Sequence, residues 1–285
     1  MQLSDDTTVT AIVVGYNHAH CLGRCFDSLM GQQGLTGLEV VYVDNASSDS
    51  SAAMSSWHPQ IRVVRNAENL GFARAVNQGL ELARGRYTAL VNPDTAIGPL
   101  VLARLVQRLQ RQTELGLVAP VLLGEDGRPQ PSLSHYPTLT GQLRRLARSR
   151  PDGDRGWLVG AMLVAETALL RRLQGLDEGY FVYGEDMDLS HRIQRMGRRL
   201  LVDPEVQITH TGNPRWTPDR LVRVYGAYMR FLDRHFPLQR VPVGISLSAL
   251  WLARGTARRA APRQMLAGLR RIWSRLPDLP PGSDR

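Results

Sequence analysis

The 285-residue chain is 43% hydrophobic and 21% charged, a balance that supports a sizeable core and excludes disorder along its whole length. All 35 of its basic residues are arginine, so chemistry that needs a lysine, such as a Schiff base or a phosphate-loop ammonium, is excluded. The net charge of +9 is uneven: Val241 to Arg285 holds eight arginines against Asp278 and Asp284, which is +6 of the total.

Val9 to Val14 is a continuous apolar run, the pattern of a strand buried on both faces. A helical pattern follows from Cys21 to Met30, then a second strand from Leu38 to Val43 that ends in Asp44. Ile61 to Val64 reads as a short third strand. Between Gly71 and Arg84, residues Phe72, Ala75, Val76, Gly79, Leu80 and Ala83 share one helical face, with Gly85 as the expected C-cap. Arg86 to Val91 is the fourth strand and Pro99 to Arg111 the next helix. This alternation predicts a parallel sheet covered on both faces, with right-handed crossovers. After Leu123 the pattern loosens; Gly124 to Pro131 reads as a turn and Ser132 to Gly156 as irregular. A strand is expected from Trp157 to Ala165, a helix from Glu185 to Met196 stopped by Gly197, a short strand from Glu205 to Thr209, and a helix from Leu221 to Phe236. Gly244 to Leu276 mixes Leu, Trp and Arg at helical spacing.

Polar clusters sit just after the strands: Tyr16-Asn17, Asp44 to Ser50, Asn66 to Asn69, and Asn92-Pro93-Asp94. Ligands of open α/β sheets bind outside the carboxyl ends of the strands, so four such clusters point to one composite site. A carboxylate at Asp44 suits a ribose hydroxyl or a pyrimidine N–H, although a helix-capping turn uses the same residues. Gly15-Tyr-Asn-His-Ala-His20 stands where a Gly-x-Gly-x-x-Gly would, which argues against dinucleotide binding. The oxygen-rich Asn92-Pro-Asp94 suits Mg²⁺ or Mn²⁺, and equally a plain turn. Glu185, Asp186 and Asp188 open a helix, where the dipole favours the ionised carboxylate a general base needs; capping alone would use them too. His210 follows a short strand, a position as suited to a structural histidine as to a ligand.

Together these residues resemble a known family. Val13-Val-Gly-Tyr-Asn17, Val43-Asp-Asn-Ala-Ser-Ser-Asp49, Glu68-Asn-Leu-Gly-Phe-Ala73 with Asn77, Val91-Asn-Pro-Asp-Thr95, Trp157-Leu-Val-Gly-Ala-Met162 and Tyr183-Gly-Glu-Asp-Met-Asp-Leu189 are similar to the family 2 glycosyltransferases, and within them to bacterial rhamnosyltransferase-type enzymes. The resemblance runs from Val9 to His210. It implies the GT-A fold, a mainly parallel sheet flanked by helices, with inversion at the sugar, a nucleotide-diphosphate sugar donor and a divalent metal. Carried over by position, it implies Tyr16, Asn17 and Asp44 at the base and ribose, and Arg74, Asn77 and Asn92 beside the donor. It further implies Asp94 and His210 as metal ligands, Asp186 as catalytic base with Glu185 at the acceptor, and Trp157 and Asp188 near the sugar. The first Asp of the family's Asp-x-Asp element is Asn92 here, which removes one negative charge from the metal site.

The first 240 residues are expected to form the transferase domain and 241–285 a basic helical extension. In that extension Leu247, Leu250, Trp251, Leu266, Leu269, Ile272 and Trp273 form a candidate apolar face for the inner membrane, flanked by arginines; a packed helix pair is the competing reading. No nucleic-acid recognition module accompanies the basic tail. Cys21 and Cys25 read as reduced thiols, and Met1 to Thr8 is polar, without the pattern of a signal peptide. The uncharged stretch between Arg240 and Arg254 is 13 residues, short of the roughly 18 that span a bilayer. The expectation is a cytoplasmic enzyme, peripheral at most, that builds cell-surface polysaccharide from a saccharide or lipid-linked acceptor. A catalytically inactive binding or scaffold subunit is the alternative. A nucleotidyltransferase would want a basic Gly-rich loop after the first strand, and the chain has none there.

Overall fold

The computed structural model describes residues 8–54, 58–212, 218–257, 267–270 and 273. Strand β1 (Thr8–Gly15) lies between β2 (Gly37–Asp44) and β4 (Tyr87–Val91), with β3 (Arg62–Arg65) outside β2; all three pairings are parallel. Helix α1 (Ala19–Met30) joins the first two strands, α2 (Ser51–Met54) precedes β3, and α3 (Phe72–Leu82) leads to β4. Successive side chains of β1 feed two cores. Val9, Ala11 and Val13 pack with Leu22, Phe26 and Leu29 of α1, while Ile12 and Val14 pack with Ala73, Val76 and Leu80 of α3. That is why the run lacks polar alternation: both faces are covered.

The second half of the sheet departs from the parallel expectation. Beyond α4 (Val101–Arg111) come β6 (Leu115–Leu123), β7 (Pro129–Gln130) and β8 (Leu133–His135), then α5 (Leu139–Leu146) and β9 (Gly156–Leu158). Strand β10 (Met162–Glu166) inserts antiparallel between β4 and β6, and β11 (Arg199–His210) runs parallel to β6 and antiparallel to the short β5 (Thr95–Ile97). The order is β3-β2-β1-β4-β10-β6-β11-β5, a mixed sheet, with β8 and β9 as a separate ribbon. The expected single strand from Trp157 to Ala165 is therefore two, in different sheets, broken at 159–161. The segment expected to be irregular contains β8 and α5. Gly85 is not a C-cap; α3 ends at Leu82, and a Cβ on Gly85 would stand 2.5 Å from the Thr10 nitrogen, so glycine lets the chain pass against β1.

After α6 (Thr167–Arg172) and α7 (Glu185–Arg195), helix α8 (Pro218–His235) and helix α9 (Arg240–Ala257) build a third core. Val243, Leu247 and Trp251 pack on Leu221, Tyr225, Met229 and Leu232, with Leu269 and Trp273 against them. This corrects the apolar face expected for the membrane: Leu247 and Trp251 are each 5% exposed, and the packed-helix reading holds for them. Leu266 and Ile272 lie outside the described residues.

Candidate active site

The carboxyl ends of β1, β2 and β4 converge on one edge of the sheet, where Gly15 pairs with Asp44 and Val13 with Val91. Asn17, at φ +57°, ties the first two loops together: its N–H donates to Ser47 Oγ at 3.0 Å, and its Oδ1 accepts from the Ser48 N–H at 2.8 Å. Tyr16 is half-buried beside it. Asp44 is 3% exposed and accepts from Tyr42 Oη at 3.3 Å. The adjoining Asn45, which sequence reasoning passed over, organises the third loop. Its Nδ2 donates to Asn69 Oδ1 and the Gly71 carbonyl, and its Oδ1 accepts from Asn66 Nδ2 and the Leu70 N–H.

Arg74 and Asn77, on α3, hold the loop between α6 and α7. Arg74 pairs with Glu178 at 3.3 Å. Asn77 donates to the Leu176 carbonyl and Glu178, and accepts from the Leu176 N–H. The same loop returns over α3, where the Phe72 N–H donates to the Phe181 carbonyl at 2.6 Å. Gly71, at φ +86°, permits this approach, because a Cβ there would meet the Phe181 carbonyl oxygen at 2.7 Å. Tyr183 and Gly184 then take φ +71° and +90°, two left-handed residues that turn the chain sharply into α7. A bulky residue in that conformation carries strain, a feature that clusters at functional sites.

Asp186, in the first turn of α7, accepts from the Met187 N–H and the Gly160 N–H, both at 2.8 Å. Burial pushes its carboxyl up to about 6, against the pull of those backbone donors. Glu185 beside it is buried. Asp188 corrects an expectation. It is 0% exposed and spends its carboxylate on Arg192 at 2.6 Å and His235 at 2.7 Å, so it anchors α7 to α8 and does not reach a sugar. Burial alone would raise its carboxyl, but hydrogen bonds from His235 and Arg192, with the charge of Arg192, hold it below the usual range. Trp157 donates Nε1–H to the His135 carbonyl at 3.2 Å and packs with the aromatic cluster of Tyr136 and Phe231.

Asn92, Pro93 and Asp94 form the turn from β4 into β5. The Asn92 N–H donates to the Ala161 carbonyl at 2.9 Å. The 159–161 segment therefore reaches both chemical turns, with Gly160 bonded to Asp186 and the next residue bonded to Asn92. His210 ends β11 opposite Thr95, and its Nε2 lies 3.5 Å from Asp94 Oδ1. Gln130 fixes the histidine tautomer. Its Nε2 donates to the His210 carbonyl, so its Oε1 accepts, and His210 Nδ1 at 2.8 Å must carry the hydrogen. Nε2 is the ring nitrogen that faces Asp94. Asp94 Oδ1 is buried without a hydrogen-bond partner, and a Cβ on Gly212 would lie 2.6 Å from His210 Nε2 and 3.0 Å from Asp94 Oδ2. A buried oxygen without a hydrogen-bond partner, an imidazole nitrogen 3.5 Å from it and a glycine beside both fit a divalent cation with two protein ligands. Among the described residues no group of three or more His, Cys, Asp or Glu side chains could hold one.

Gln130 fell in a stretch that reads only as a turn, so no sequence signal marks it. Gly160 did leave one: a glycine inside a strand pattern marks a bulge or a close backbone approach.

The mixed sheet, with its polar loops gathered at one edge and helices on both faces, is a GT-A glycosyltransferase fold. The sequence model of glycosyl transferase family 2 matches residues 10–172, and the chain belongs to that family. It is 25% identical over 270 residues to the N-acetylglucosaminyl-diphospho-decaprenol L-rhamnosyltransferase of Mycobacterium tuberculosis, covering 80% of this chain and 87% of the relative. The mannosyltransferase PcManGT from Pyrobaculum calidifontis, solved with GDP-Man and Mn²⁺, superposes with a TM-score of 0.62 at 21% identity, covering 94% and 88% of the two chains. S. aureus TarS 1-349 in complex with UDP-GlcNAc gives 0.60 at 18% identity, covering 93% and 80%.

Proposed function

We propose that the chain transfers a hexose, with inversion, from a nucleotide-diphosphate donor to a saccharide or lipid-linked acceptor in bacterial cell-surface polysaccharide synthesis. Rhamnose from dTDP-rhamnose is the favoured donor, supported by the rhamnosyltransferase relative. The observation that carries the reading is the 159–161 bridge, which links Asp186 to the Asn92–Asp94 turn through two adjacent residues. We assign residues 1–240 to the transferase and 241–285 to a helical extension.

In this mechanism the loops of Tyr16, Asn17 and Asp44 receive the nucleoside, and Asn92 lies beside the diphosphate. Asp94 Oδ1 and His210 Nε2 would hold Mg²⁺ or Mn²⁺, which when bound supplies positive charge to the leaving diphosphate. The acceptor oxygen forms a bond to the anomeric carbon from the face opposite the diphosphate. The carbon–diphosphate bond breaks with its electron pair leaving on the nucleoside diphosphate, and the acceptor proton passes to Asp186. Gly160 and Met187 N–H groups fix the orientation of that carboxylate and use one lone pair of each oxygen. Glu185 and Trp157 border the acceptor.

A panel of dTDP-rhamnose, UDP-GlcNAc and GDP-mannose, scored for slow hydrolysis and for transfer, tests this. Turnover that releases the nucleoside diphosphate is expected. Binding without turnover of every donor would favour the scaffold reading, and release of the sugar 1-phosphate would favour nucleotidyl transfer.

A further inference from the structure

Helix α9 is apolar on both sides. Val243, Leu247 and Trp251 are buried against α8, while Val241, Pro242, Ile245 and Ala249 follow one another at helical spacing on the outer side, Val241 55% and Ile245 59% exposed. A helix facing water ordinarily carries charge on its outer face; this one has no charged residue between Arg240 and Arg254. Helix α5 repeats the pattern, with Leu139, Leu143 and Leu146 at 41%, 65% and 80% exposure and spaced i, i+4, i+7. Leu238, in the short turn between α8 and α9, is 94% exposed. Ser246 Oγ of α9 donates to Gln142 Oε1 of α5, and the Leu139 N–H at the start of α5 donates to Gln239 Oε1 in the turn before α9, both at 2.9 Å. Single exposed leucines are ordinary, but a group spread over two joined helices marks an interaction surface.

Charge selects the partner. Residues 137–151 contain Arg144, Arg145, Arg148 and Arg150 and no acid, and α9 contains no acid. An apolar face rimmed by arginine suits the boundary of an anionic bilayer, whereas a second copy would set the same arginines against one another. The face also adjoins the cleft. Arg145 donates to the carbonyl of His135, which also accepts from Trp157 Nε1–H.

We propose that the joint outer face of α5 and the first half of α9 docks on an anionic lipid surface, presenting the Asp186 cleft to acceptors held there. The purpose of the face rests on the lipid-linked reading of the acceptor; its existence does not. Full-length protein is sedimented with vesicles of phosphatidylcholine alone and with added phosphatidylglycerol, with no sugar nucleotide present. Two variants accompany it, Leu143→Ser/Leu146→Ser/Ile245→Ser and Arg144→Gln/Arg148→Gln/Arg150→Gln, each checked for unchanged melting temperature. The parent should pellet with the anionic vesicles only, and each variant should partition on the order of tenfold or more weakly. No vesicle binding by the parent overturns the proposal, as does equal binding by the variants, which would move the contact elsewhere. A parent dimer that the leucine variant dissociates while vesicle binding persists overturns it in favour of a second copy. Vesicle binding by this face alongside transfer only to soluble saccharides would overturn the lipid-linked acceptor and leave the face standing.

Discussion

Replacing Asp186 with asparagine should make the protein more stable at neutral pH. Burial raises the Asp186 carboxyl from 3.8 to about 6, so the ionised form is disfavoured in the folded chain relative to the unfolded one. Each pKa unit is about 1.4 kcal/mol, so a two-unit rise costs about 3 kcal/mol of stability once the group is ionised in both states. The sign follows from proton binding. Below about pH 4 both states hold the proton and the cost vanishes; it grows between about 4 and 6, and above that it is constant. An asparagine carries no such cost, but only one of its δ atoms accepts, so one of the bonds from Gly160 and Met187 is lost, at about 1 kcal/mol. The net gain at pH 7.5 is about 2 kcal/mol, a rise in Tm of roughly 4–8 °C for a chain of this size. Below pH 4 the variant should become the less stable of the two by about 1 kcal/mol. Thermal or urea unfolding of both proteins from pH 4 to 8 measures this. A stability difference that does not change with pH, or a variant less stable at pH 7.5, would refute the reasoning.

In the same variant donor binding should survive while transfer falls roughly 10²–10⁴-fold, and parental turnover should decline as pH drops through about 6, since a protonated Asp186 cannot accept the acceptor's proton. Asp188→Ala leaves the half-buried Arg192 and His235 without the buried carboxylate they share and should cost about 3 kcal/mol, read as a fall in Tm with no change in the pH dependence of turnover. Leu247→Ala should cost about 2–5 kcal/mol and Ile245→Ser no more than about 0.5, because one side of α9 is packed and the other is not; urea unfolding that finds the two equal would contradict the α8–α9 core. Gln130→Leu frees the His210 tautomer and should weaken Mn²⁺ binding about 10–100-fold in calorimetry with nucleotide present, leaving nucleotide binding in chelator unchanged.

What could be read from the chain tracks how local the determining physics is. The runs at Val9–Val14 and Leu38–Val43 declared themselves because strands covered on both faces need no polar alternation, and β1, β2 and β4 pair in parallel as the strand–helix alternation requires. Where β10 inserts is decided by pairings between Val91 and Met162, far apart in sequence, and no local pattern encodes the antiparallel choice. Asp94, Asp186 and His210 were nameable from residue type and resemblance, but the partners that set their state were not. Gln130 acts through two hydrogen bonds to His210 and Gly160 through one to Asp186, across long sequence separations. Asp188 misled because its neighbours are chemical residues; burial and two partners, Arg192 of α7 and His235 of α8, invisible in one dimension, make it an anchor. In the tail, helical spacing was right and the face was wrong, since an all-apolar helix does not announce which side packs.

The antiparallel insertion of β10 has a consequence for how the chain is made. Strand β4 is fully buried in the finished sheet, with β1 on one flank and β10 on the other. Yet Met162 is synthesised 71 residues after Val91. At about 5–20 residues per second, the free edge of Tyr87–Val91 waits about 4–14 s on the nascent chain for its second partner. An apolar, unpaired edge is a template for another chain, and polysomes keep such chains close together. Slowing translation between those two points should therefore lower the soluble yield of this protein in cells, while the purified protein keeps the same melting temperature.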